Sequence, residues 1–112
     1  MGAIKLATSA STDEEYGGTT GISSCIVLDT LNANDFEWDS VMMGFVSKKT
    51  VSEIVGNSTF VGVICNAING NAIVNARIQP STNKIVVLGI QATSNYNLIT
   101  SAYQIKVIVL VR

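Results

Sequence analysis

Few residues in this 112-residue chain could do chemistry. It has no histidine, so the commonest general base is missing. Neither a Ser-His-Asp nor a Cys-His arrangement can be built from the chain alone. Two cysteines, Cys25 and Cys65, fall short of the Cys and His set that a zinc site usually draws on. Gly17-Gly18-Thr19-Thr20-Gly21 lacks the lysine and the following helix that a phosphate-cradling loop needs. Two acidic clusters remain. Asp35, Glu37 and Asp39 alternate with Phe36 and Trp38. In a strand the three carboxylates would share one face at spacings of about 6–7 Å. That could hold Ca²⁺ through carboxylate oxygens or supply the acid pair of a glycosidase. A solvated strand face with Phe36 and Trp38 turned inward needs the same spacing, and it is the stronger reading. Asp13-Glu14-Glu15 sits in a polar run and reads as a solvated loop, or else as a contact for a basic patch of a neighbouring copy. The chain therefore reads as no enzyme, with no catalytic residue, no metal ligand and no cofactor.

A saccharide platform is the other chemistry to weigh, because sugar rings stack on flat apolar faces. Trp38, Tyr16, Tyr96 and Tyr103 are the candidates among seven aromatic residues. Trp38 reads as core. Tyr96, flanked by Asn95 and Asn97, offers a stacking face beside hydrogen-bonding amides, so these three are the candidate ligand-binding residues. Each cysteine lies in an apolar, strand-like run. A Cys25–Cys65 bridge would close a long loop and add on the order of 4 kcal/mol. Free thiols packed as small hydrophobes are the more frequent arrangement in such runs and are expected. Asn57-Ser58-Thr59 matches a glycosylation sequon, but the first eight residues do not form a secretory signal, so the match reads as chance.

The elements that would position these groups read as strands. Thirteen Ile, thirteen Val and ten Thr make nearly a third of the chain β-branched. The size suits one domain, and a 47% apolar content with a net charge of −1 argues against disorder. No run approaches the ~18 apolar residues of a membrane span, and a basic nucleic-acid footprint is missing. Strands are expected at Ile22–Asp29, Val41–Val46, Thr50–Val55, Thr59–Cys65, Ala72–Gln79, Lys84–Gln91 and Ala102–Val111, with Leu31–Ser40 either strand or helical turn. Ser47-Lys48-Lys49 would join the second and third of these. Asn69-Gly70-Asn71 carries a hairpin signal, and Pro80-Ser81-Thr82-Asn83 a turn. Seven or eight short strands imply an all-β fold, an antiparallel β-sandwich or jelly-roll-like barrel. Residues 1–21 read as an N-terminal arm or loop-rich segment and 22–112 as a single β-sandwich domain.

In the last strand Tyr103, Ile105, Val107, Val109 and Val111 form one apolar face. The other face begins with Gln104 and Lys106 and turns apolar at Ile108 and Leu110. A strand apolar on both faces is central in a sandwich or covered by another subunit, which makes Ile108 and Leu110 candidate subunit-interface residues together with Asp13, Glu14 and Glu15. Only 13% of residues are charged, about half the usual share. All eight acids fall in residues 1–53, against Lys5, Lys48 and Lys49, a net of −5; residues 54–112 carry four basic residues and no acid. With 31 Asn, Ser and Thr residues, the surface is neutral and hydrogen-bonding, as suits a part packed against other parts.

The stretch Thr59–Arg112 resembles the C-terminal β-domains of phage and prophage tail, fibre and baseplate proteins. The resemblance rests on Val61-Gly62-Val63, the Asn/Gly turn of residues 66–71, the alternating strand after it, the Ser94-Asn95-Tyr96-Asn97 tract and the terminal strand Tyr103 to Arg112. It is one of composition and rhythm over half the chain. Members often end in Val-Leu-Tyr and a basic residue, whereas this chain ends Leu110-Val111-Arg112. The acidic first half has no counterpart. The resemblance implies a small β-sandwich, often trimeric, that serves virion assembly or host attachment. The expected function is then a non-enzymatic structural module of a tail, fibre or baseplate, located in the virion and assembled in the host cytoplasm. Its partners would be copies of itself, a trimer favoured, and other virion proteins, with no nucleic acid and no membrane. A capsid decoration protein is one alternative. A lectin-like module binding a host cell-surface glycan through Tyr96 is the other.

Overall fold

The computed structural model describes residues 21–68, 71–91 and 103–112. They form seven strands and one short helix: β1 (Ser24–Asp29), β2 (Phe36–Asp39), β3 (Gly44–Thr50), α1 (Val51–Val55), β4 (Phe60–Ala67), β5 (Ala72–Gln79), β6 (Lys84–Gln91) and β7 (Ile105–Val111). Every pairing is antiparallel. One sheet has the order β1-β7-β4 and the other β2-β3-β6-β5. The two pack face to face as an all-β sandwich, and no barrel closes among the described residues.

Alternation explains the core. In β7 the odd residues Ile105, Val107, Val109 and Val111 are buried, and the even ones are half-buried. The inward residues of β1 and β4, including Ile26, Leu28, Val63 and Cys65, pack against the same cluster. From the other sheet come Phe36, Phe45, Ile85 and Val87, with Val74, Ala76 and Ile78 of β5 beside them. Trp38 is half-buried and meets Phe45 edge-on at a centroid distance of 5.2 Å. β5 behaves as its alternation predicts, with Asn75 and Arg77 outside. The turn after it ends at Asn83, whose φ is 58°, a left-handed position that asparagine tolerates.

Two buried hydroxyls complete backbone bonding that the ladders leave open. Ser47 is fully buried at the point where the β3–β6 register shifts. Its hydroxyl accepts from Ile85 N–H (2.9 Å) and donates to Lys49 C=O (2.7 Å). Thr30 accepts from Ile105 N–H (2.9 Å) and donates to Tyr103 C=O (2.9 Å), fixing the start of β7 against the end of β1.

Three expectations need correction. Thr50–Val55 is not a strand. Ser47-Lys48-Lys49 lies within β3, and the chain then turns into α1. Thr50 Oγ1 accepts from Glu53 N–H (3.2 Å) and Glu53 Oε1 accepts from Thr50 N–H (2.9 Å). This capping box overrides the β preference of Val51, Ile54 and Val55. The second correction concerns Asn69-Gly70-Asn71. β4 pairs with β7 and β5 with β6, so this connection joins strands of different sheets rather than a hairpin. The third concerns Cys25. Both cysteines are free, but Cys25 is exposed and not packed as a small hydrophobe.

Candidate functional site

β7 is the central strand of the three-stranded sheet, so its even-numbered side chains lie on that sheet's outer face. The register puts Val27 and Ile64 on either side of Ile108, and Cys25 and Gly62 on either side of Leu110. Val27 is 55% and Ile64 52% exposed, while Ile108 and Leu110 are half-buried between their neighbours. The face is thus a contiguous apolar surface built from three strands. Gly62 leaves a notch beside Leu110: a Cβ there would meet nothing within 4 Å.

One end of this face is polar. Asp29 and Asn66 flank Lys106, and Lys106 Nζ lies 2.9 Å from Asp29 Oδ2. Gln104 Nε2 donates to the same oxygen at 2.7 Å, and Leu31 N–H donates to Oδ1 at 2.8 Å. Desolvation pushes the Asp29 carboxyl up, but these three hydrogen bonds and the attraction of Lys106 outweigh it and hold the group below the usual carboxylate range.

A cavity of about 140 Å³ lies beside β1. It is lined by Ile26 and Leu28 of β1, Ile54 of α1, and Asn34, Asp35 and Lys49. Glu53 also lines it. The hydrogen bonds from Thr50 hold the Glu53 carboxyl below its ordinary range, with Lys49 and Lys84 adding a smaller pull. Asp35 Oδ2 accepts from Asp29 N–H at 3.1 Å. β1 is an edge strand, and this bond occupies an N–H that the edge would otherwise present.

The expected residues fall out as follows. Ile108 and Leu110 sit together on the outer face. Asp13, Glu14, Glu15, Asn95, Tyr96 and Asn97 lie outside the described residues. Asp35, Glu37 and Asp39 do not form the expected row, because Asp35 precedes β2 and turns toward β1. Asp39 Oδ1 accepts from Val41 N–H (2.8 Å) and Met42 N–H (3.0 Å), closing its own turn. Among the described residues no three His, Cys, Asp or Glu side chains gather to hold a metal ion, and no helix is long and apolar enough to cross a membrane. Tyr103 packs on the core and donates to Asn71 C=O at 3.3 Å. Burial pushes the Cys65 thiol up.

Sequence reasoning missed the contribution of Val27 and Ile64 and the whole of the cavity. β1 and β4 are apolar at odd and even positions alike, so only the pairing shows which residues stand outside. Comparison with protein-family models, with curated proteins and with solved structures finds no match to this chain.

Proposed function

We propose that this chain is a non-enzymatic structural protein of a phage particle, a self-associating β-module of a tail, fibre or baseplate assembly. The observation that supports self-association is the outer face of β1-β7-β4, where Val27, Ile64, Ile108 and Leu110 form one apolar surface. Covering such side chains stabilises an assembly by up to roughly 1.5–3 kcal/mol each when burial is complete. Gly62 fits the same reading, because nothing among the described residues crowds it and a glycine in a strand admits close approach of another backbone. The phage setting and a trimeric state are what the resemblance of residues 59–112 implies.

Light scattering tests the association. At micromolar concentration the protein should be an oligomer. Ile108→Lys should reduce it to a monomer with unchanged circular dichroism. A wild-type chain that is a stable, soluble monomer overturns the reading. For the setting, antibody to the chain should label purified particles in electron micrographs; absence of the chain from the particles overturns the virion placement.

A further inference from the structure

The end strands of a sheet present backbone groups on one side with no neighbouring strand, and a second chain can pair there. Four strands hold such positions here, β1 and β4 in one sheet and β2 and β5 in the other. A strand that pairs with its own copy meets its own charges, so charge sorts the four edges. β2 has four residues, two of them Glu37 and Asp39. β5 carries an exposed Arg77. β1 ends at Asp29, whose N–H is already taken by Asp35. β4 differs, because residues 59–68 include no charged residue and no proline. A register shift between Phe60 and Gly62 disturbs the start of β4, and such bulges spoil edge pairing locally. From Gly62 to Ala67 the register is regular.

The ladder shows which groups of β4 face outward. In an antiparallel pair alternate residues turn both N–H and C=O to the same neighbour. Thr59 N–H and Arg112 N–H each donate to the other's C=O at 2.9 Å, and Ile68 N–H donates to Gln104 C=O at 2.9 Å. With the β4–β7 register, this turns the backbone groups of Ile64 and Asn66 toward β7. Val63 and Cys65 turn theirs away, and among the described residues no hydrogen bond reaches them.

We propose that β4 pairs antiparallel with β4 of a second copy, with Ile64 at the two-fold axis. This register sets Val63 of each copy opposite Cys65 of the other, so that both outward N–H and C=O groups of each pair are bonded. It also sets Ile64 beside Ile64, and it places Asn66 opposite Gly62, where open space receives the amide. An axis at Cys65 would instead set Ile64 against Asn66 and lose both matches. On the outer face Val27, Ile108 and Ile64 lie in one row across the three strands. Pairing at Ile64 runs this row directly into the same row of the second copy. The inference rests on the self-association proposed above, since so narrow a strip does not hold two copies together once the face contact is lost. It adds a symmetry to that association. A two-fold contact gives even-numbered assemblies, such as two joined trimers, and no lone trimer.

Disulfide trapping of full-length protein in a Cys25→Ser/Cys65→Ser background tests the register. Facing residues of a non-hydrogen-bonded pair stand about 4.5 Å apart at Cα, within disulfide reach. Ile64→Cys should cross-link to its own copy on oxidation. Gly62→Cys and Asn66→Cys should cross-link when mixed and not singly. Native mass spectrometry of the wild type should give an even number of copies. Val63→Pro removes an outward N–H and leaves the β4–β7 bonds, so it should weaken assembly about tenfold with unchanged circular dichroism; should it misfold, the cross-links decide. Absence of both cross-links, or a lone trimer, overturns the pairing. If neither cross-link forms while the wild type assembles and Ile108→Lys does not, face-mediated association stands without it. Slow amide exchange at Cys65 that persists in the Ile108→Lys monomer shows the edge covered within one copy and also overturns it. A wild-type monomer overturns both proposals.

Discussion

At the residue scale, several polar groups are structural fasteners. Asp29 is the clearest. Its carboxylate gathers Leu31 N–H, Gln104 and Lys106, tying the end of β1 to the start of β7. Because its pKa is lowered in the folded state, the unfolded chain binds the proton more readily. The stabilisation is therefore present at neutral pH and is lost as the pH falls below about 4, through the folded value. Thermal unfolding followed from pH 7 to pH 2 should show this loss, and Asp29→Asn should flatten the acid limb while lowering stability at neutral pH. Asp35 also differs from its expected role. It caps the β1 edge instead of joining Glu37 and Asp39 in a carboxylate row. Nothing in the spacing Asp-Phe-Glu-Trp-Asp distinguishes the two, because the difference depends on where β1 lies.

At the element scale, strand positions in the second half were legible because their alternation is clean. Ala72–Gln79 and Lys84–Gln91 stand where the pattern puts them. α1 was not legible from hydrophobic period, being five residues long. Its signal was the Thr50-x-x-Glu53 box, a local hydrogen-bond motif rather than a periodicity. Gly44 shows a constraint that acts between elements. A Cβ there would stand 2.5 Å from Leu88 Cδ2 and 2.6 Å from the Val87 carbonyl oxygen. The side chain could turn away, but the carbonyl belongs to the β3–β6 ladder and cannot. Gly44→Ala is expected to destabilise the fold by about 1–3 kcal/mol, measured by urea denaturation. Gly62→Ala, with open space around it, should fold with wild-type stability to within about 0.5 kcal/mol.

At the scale of the whole molecule, the proposed association through the outer sheet face should respond to the kind of salt present. The apolar face of β1-β7-β4 gains from a salting-out anion such as sulfate. Sedimentation of the protein in sodium sulfate is therefore expected to show tighter association than in sodium chloride at equal ionic strength. Ile108→Lys should be monomeric throughout.

The sequence by itself determined the fold class, most strand positions and the two-faced terminal strand. Each of these follows from local chemistry: β-branched content, period-two alternation and turn residues. The tertiary structure decided what local pattern leaves open. β7 lies between β1 and β4, which brings Val27 and Ile64 beside Ile108. The chain passes from one sheet to the other between β4 and β5. Ile54 of α1 and Ile26 and Leu28 of β1 come to line one cavity. These are outcomes of pairing between residues as far apart as Ser24 and Val111, and strands apolar on both faces carry no local mark of which side a distant partner will cover.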